Sequence, residues 1–124
     1  MTALATRFAE IIRAYAAGDA YGVQFEFQPR RFDDLPDSLA EVDGWPAGGV
    51  SDDTILSLMT LESLRLGADG ELLSANVSAA EFKRRLMEAK DALRGLGPTT
   101  RAALGLPVKP EEEAMVGRSN GGLM

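Results

Sequence analysis

The residues best suited to chemistry form a run of oxygen donors, Gly48-Gly49-Val50-Ser51-Asp52-Asp53-Thr54. Two adjacent carboxylates flanked by hydroxyls suit Mg²⁺ or Mn²⁺, which accept all-oxygen coordination. The same residues also describe a helix start, because Ser and Asp are favoured N-caps and acidic first turns complement the helix dipole. A second segment, Gly18-Asp19-Ala20-Tyr21-Gly22-Val23-Gln24-Phe25-Glu26, sets carboxylates in a Gly-punctuated, aromatic-rich stretch. Glu26 there is either a polar group in a cleft or a solvated acid at a helix terminus. A third, Gly117-Arg118-Ser119-Asn120-Gly121-Gly122, offers amides to an anionic or sugar group, or makes a plain Asn-Gly turn. Gly97-Pro98-Thr99-Thr100-Arg101 reads as a Thr-capped helix start with Arg101 exposed, or as an anion contact.

Other chemistries are excluded by what the chain lacks. It has neither Cys nor His, so thiolate nucleophiles, disulfides, Cys-bound zinc and imidazole bases are all unavailable. Catalysis would have to run on carboxylates, hydroxyls, backbone groups or a metal held by oxygen. Thirteen Lys and Arg against nineteen Asp and Glu give a net charge of −6, the wrong sign for a nucleic-acid partner. The hydrophobic fraction of 45% is that of a globular chain. The apolar stretch from Ile55 to Leu66 is too short and too interrupted to span a membrane, and Arg7, Glu10 and Arg13 break any export signal. A cytoplasmic location is expected.

Helical spacing supplies the elements that must position these residues. Leu4, Phe8, Ile11, Ile12 and Tyr15 predict a first helix from Thr2 to at least Ala17. Gly18 either caps it or lies inside a helix near 2–22 where a neighbouring backbone packs closely. A long loop follows to about residue 50, with room for one helical turn near Leu39. A second helix is expected over 51–67 with Ile55, Leu58, Met59 and Leu61 buried, packing on the first through Phe8, Ile11 and Ile12. Ser78-Ala79-Ala80-Glu81 has capping-box spacing and opens a third helix, near 79–95. A fourth is expected over 99–105, followed by an exposed acidic stretch from Pro110 to Glu113. The fold class is all-α, in one domain over 1–124.

The order and spacing of the four motifs carry more than each does alone. G-D-x-x-G-x-x-x-E, G-x-S-D-D-T heading an apolar helix, G-P-T-T-R and S-N-G-G-L-M resemble the N-terminal portion of the ADP-ribosylglycohydrolase family. That family includes the dinitrogenase-reductase-activating glycohydrolases and the J1 crystallins. The resemblance runs in register from about Phe8 to Met124. It implies part of a compact orthogonal helical bundle with two Mg²⁺ or Mn²⁺ ions in a cleft, hydrolysing the bond from ADP-ribose to a protein or small-molecule acceptor. Carried over by motif, Ser51, Asp52 and Asp53 are the first metal-ligand block and Glu26 is the acid near the scissile bond. Gly117, Ser119, Asn120 and Gly121 fall on the ADP-ribose-binding loop. Glu26 and Asn120 are then expected to share an opening with Asp52 and Asp53.

Ser51 stands where the family more often has Thr, which preserves the hydroxyl. The second ligand block, an Asp-x-Asp pattern, has no counterpart here, since only Asp69 and Asp91 follow Asp53. The chain is therefore expected to be an incomplete domain supplying the first ligand block alone, with its partner either a C-terminal fragment or a second copy. On that expectation apolar surface is left exposed around Leu58, Leu61, Leu86 and Leu123. The alternatives are a non-catalytic crystallin-like or ADP-ribose-binding relative, and a small helical interaction domain.

Overall fold

A computed structural model describes residues 3–26, 35–65 and 76–118. Helix α1 (Ala3–Val23) runs straight through Gly18, where an added Cβ would meet nothing within 4 Å. Gly18 is thus inside the helix without the close backbone approach expected of it. Phe25 and Glu26 close the helix by donating their amides to the Gly22 and Val23 carbonyls. The chain returns along 35–50 with no helical turn at Leu39. Instead Val42 and Trp45 pair across a tight turn, Asp43-Gly44, whose two φ angles are +48° and +76°. Positive φ at both central positions is the signature of a hairpin-type turn, and Asp-Gly supplies it at little cost.

Helix α2 (Asp52–Glu62) is shorter than the apolar spacing predicts. Ser63 donates its amide to the Met59 and Thr60 carbonyls and accepts a hydrogen bond from the Ser78 amide. That contact turns the chain into strand β1 (Leu64–Arg65), antiparallel to β2 (Asn76–Val77) with Leu64 opposite Val77. Helix α3 (Ala79–Ala89) starts at Ser78 as its capping pattern predicts, and ends early in a 3-10 turn, Lys90–Ala92. Helix α4 (Pro98–Ala103) has Gly97 as its N-cap, with Pro98 rather than Thr99 opening the first turn. A second 3-10 turn, Pro110–Met115, occupies the acidic stretch. Apart from the short β1–β2 pair the described residues are helical or irregular, and the class is all-α. None of the helices among the described residues is long and apolar enough to cross a membrane.

The chain divides into two compact units, Met1–Thr54 and Ile55–Met124. In the second, Leu56, Met59 and Leu86 form the core, with Ile55, Phe82, Ala89, Leu93, Leu96 and Leu104 packed around them. The buried stripe of α2 is therefore Leu56, Met59 and Ser63, rotated from the expected Ile55–Leu58–Met59–Leu61 face. Glu62, four residues after Leu58, stays exposed and pairs with Arg85 at 2.6 Å. Leu58 is likewise exposed, and Leu61 is half-buried. Leu86, expected at an exposed patch, is instead 2% exposed at the core's centre, while Leu123 lies outside the described residues.

In the first unit the buried residues are Ala20, Val23, Gln24, Ser51 and Thr54. Phe8 and Ile11 are not among them: Ile11 is 64% exposed, so the expected packing through these two residues is not found. Burial belongs to the C-terminal end of α1, where small and polar residues sit. The Tyr21 hydroxyl ties that end to the return loop by donating to the Pro36 carbonyl at 2.9 Å, and the Tyr21 ring stacks edge-on against Phe25.

Candidate functional site

The Asp19 carboxylate organises the start of α2. Oδ2 accepts the Ser51 amide at 3.0 Å, the Thr54 amide at 3.2 Å and the Thr54 hydroxyl at 2.5 Å. Oδ1 accepts the Ser51 hydroxyl at 2.7 Å. Four donors from one helical turn thus converge on a single side chain, and charge-assisted bonds of this kind are about twice as strong as neutral ones. Ser51 also caps locally, its Oγ accepting the Asp53 amide at 3.2 Å. Ser51 and Thr54 are 2% and 3% exposed, so their polar atoms depend on these partners.

Asp52 and Asp53 are half-buried in the first turn. Burial pushes the Asp52 carboxyl up to about 6, helped by the negative charges of Asp53, Glu26 and Asp19 and opposed by a hydrogen bond from its own backbone. Burial also raises Asp53, with Asp19 adding to the effect. Glu26, one turn past the end of α1, therefore lies within electrostatic reach of Asp52. An open cavity of about 320 Å³ beside Asp53 is lined by Ala14, Tyr15, Gly18, Asp19 and Asp53.

These donors fit a divalent cation in kind, being hard carboxylate and hydroxyl oxygens. They do not yet form a cage, since among the described residues no three acidic side chains are set to grip one ion.

The other two motifs meet in the second unit. The Thr99 hydroxyl accepts the Gly117 amide at 2.9 Å and contacts the Met115 carbonyl at 3.4 Å. Gly117 takes φ +84°, a conformation that favours Gly. Arg101, expected to be exposed, is instead paired with Glu112 at 2.5 Å, which holds α4 against the Pro110–Met115 turn. That pairing also partly buries Glu112, within a stretch expected to be wholly exposed. Ser119, Asn120 and Gly121 lie outside the described residues.

The sequence model of the ADP-ribosylglycohydrolase family matches residues 1–124. The chain belongs to the ADP-ribosylglycohydrolase family. No match to it was found among curated proteins or among solved structures. Membership points to glycohydrolase-type hydrolysis, and the all-α architecture agrees with it. Within this family chain, sequence reasoning picked out Ser51, Asp52, Asp53 and Glu26 and missed Asp19 and Thr99 as organisers. The signal for Asp19 was its place in G-D-x-x-G, where an acid inside an otherwise apolar helical stretch needs a partner. Ser51 and Thr54, two hydroxyls one turn apart, are that partner.

Proposed function

We propose that the chain provides the first metal-ligand block of a divalent-metal-dependent hydrolase that removes ADP-ribose from a modified protein or small molecule. Ser51, Asp52 and Asp53 hold Mg²⁺ or Mn²⁺, Glu26 serves as the acid near the scissile bond, and Gly117, Ser119, Asn120 and Gly121 bind ADP-ribose. The observation that carries this reading is the Asp52-Asp53 pair at the α2 start with Glu26 within electrostatic reach, Asp52 being raised to about 6 by burial and by its acidic neighbours. Carboxylates crowded in this way are costly for a cap alone and are relieved by a cation. A bound divalent ion supplies Lewis acidity and a water acidified toward neutral pH. The protein's part is to orient: the α2 start fixes Ser51, Asp52 and Asp53 together, and Glu26 adds an acid that can hold or release a proton. The family's complete site takes two ions, of which this block would serve one side.

A second reading is a crystallin-like or ADP-ribose-binding relative without catalysis. The observation favouring it is that, among the described residues, no three acidic side chains are set to grip one ion. The test is release of ADP-ribose from an ADP-ribosylated protein in the presence of Mn²⁺, by the chain alone and with a C-terminal fragment of a complete relative added. The half-site predicts turnover that appears on adding the fragment and is lost on Asp52→Ala. Tight ADP-ribose binding without turnover in either mixture would instead establish the binding relative.

A further inference from the structure

We infer that Asp19 is a positioning residue, one that makes the Ser51 hydroxyl a competent ligand and aims Asp52 and Asp53. The consequence for a metal rests on the reading under Proposed function, whereas the positioning itself rests on geometry alone.

The hydroxyls of Ser51 and Thr54 both donate to the Asp19 carboxylate, at 2.7 Å and 2.5 Å. This settles where the Ser51 hydroxyl hydrogen lies. One lone pair of Ser51 Oγ accepts the Asp53 amide, and one lone pair is left over. A neutral hydroxyl is ordinarily a weak ligand. Donation into an anionic acceptor increases the electron density on its oxygen and freezes its rotation, the two things a hard cation requires of it. Asp19 thereby does for a hydroxyl what carboxylates do for metal-bound imidazoles.

The same carboxylate sets the backbone. With the Ser51 and Thr54 amides both bound to Oδ2, the first turn of α2 is pinned at both ends of the pair Asp52-Asp53. The two acidic side chains leave a segment whose path is dictated from 32 residues away. A local cap would permit the turn to fray. This one ties it to the last third of α1, at a point where Ser51 and Thr54 are almost wholly buried.

The test uses the full 124-residue chain and two readouts. Without metal, backbone amide exchange in Asp19→Asn should quicken about tenfold or more at Ser51 and Thr54 with the α3 amides unchanged, as expected for loss of charge-assisted bonds. With Mn²⁺, followed by electron paramagnetic resonance of the free ion, Asp19→Asn should weaken binding roughly 10–100-fold, the usual cost of an outer-shell partner. Ser51→Ala should weaken it less, because the amide contacts of Asp19 remain, Ser51→Thr should retain it, and the two losses should combine to less than their sum in the double variant. That non-additivity is what a merely structural role would not produce. If Asp19→Asn does not fold, the Ser51→Ala and Ser51→Thr pair carries the same test with Asp19 intact. Unchanged exchange and wild-type Mn²⁺ affinity in Asp19→Asn, with binding lost in Asp52→Asn, would overturn the inference and leave the metal reading standing. Wild-type affinity in Asp52→Asn would remove the metal reading, and faster exchange at Ser51 and Thr54 would still establish the positioning role.

Discussion

Ser78 and Ser51 each precede a helix, yet they start it from different resources. Ser78 uses its own turn: its Oγ accepts the Glu81 amide at 3.4 Å, and the Glu81 carboxylate is gripped by Arg84 and Arg85 at 2.8 Å. Everything the α3 start needs lies within seven residues and near solvent. Ser51 takes its main partner from α1, buries its hydroxyl and leaves two carboxylates beside other carboxylates. The electrostatic outcomes are opposite. Hydrogen bonds from Arg84, then Arg85, pull Glu81 down to about 2, while burial and acidic neighbours push Asp52 up to about 6. A start built for stability surrounds its acid with cations. The α2 start instead sets Asp52 beside Asp53, Glu26 and Asp19.

That contrast is broken most easily by removing each anchor. Asp19→Ala strands buried donors of Ser51 and Thr54 and should cost about 3 kcal/mol, against about 1 kcal/mol for Ser78→Ala. Urea unfolding of both variants checks this, and equal losses would erase the distinction. Gly49→Ala is the next largest. Its Cβ would fall 2.5 Å from Trp45 Nε1 and 3.0 Å from the Pro46 carbonyl oxygen, neither of which can yield without moving the loop. A loss of about 2 kcal/mol is expected. Trp45 is the sole tryptophan, so its fluorescence should shift with the substitution.

A smaller effect comes from pH, and its sign differs between the two starts. Asp52 has a folded value above its unfolded one, so the folded state holds a proton that the unfolded state releases between about pH 4 and 6. Stability should fall as pH rises through that window. Asp52→Asn should then stabilise the metal-free protein at pH 7 by about 1 kcal/mol, allowing for solvent screening. Glu81 behaves the other way: its contribution is present above about pH 4.5 and is lost as pH falls toward 2. Thermal melts from pH 3 to 8, with and without Asp52→Asn, separate the two. The smallest effect is at the surface, where Arg84→Ala should leave the urea midpoint almost unchanged and salt should remove what shift there is.

Legibility in the sequence follows the same division. The α3 start is written locally, and Ser78-x-x-Glu81 found it. The identities at the α2 start were readable, because Ser, Asp, Asp and Thr in succession admit few uses. What held them was not readable, because the Asp19 contact spans 32 residues and leaves no periodic trace. The face of α2 was misjudged because Leu56 and Leu58 are equally apolar. Leu56 is the one that packs with Met59 and with Leu86 of α3, a tertiary contact that helical spacing does not contain. Phe8 and Ile11 show the converse limit, since helical spacing identifies an apolar face without saying that anything in the chain covers it.

Binding of a divalent cation at the Asp19-organised Ser51-Asp52-Asp53 turn is the step on which the proposed function depends. Its most direct test is the thermal midpoint of the full chain at pH 7 across a Mn²⁺ series, beside Asp52→Asn. A ligand that binds only the folded state raises the midpoint with concentration. The account predicts a rise for the native sequence and none for the variant, which should nevertheless start from the higher metal-free midpoint. Equal rises in both proteins, or none in either, would contradict it.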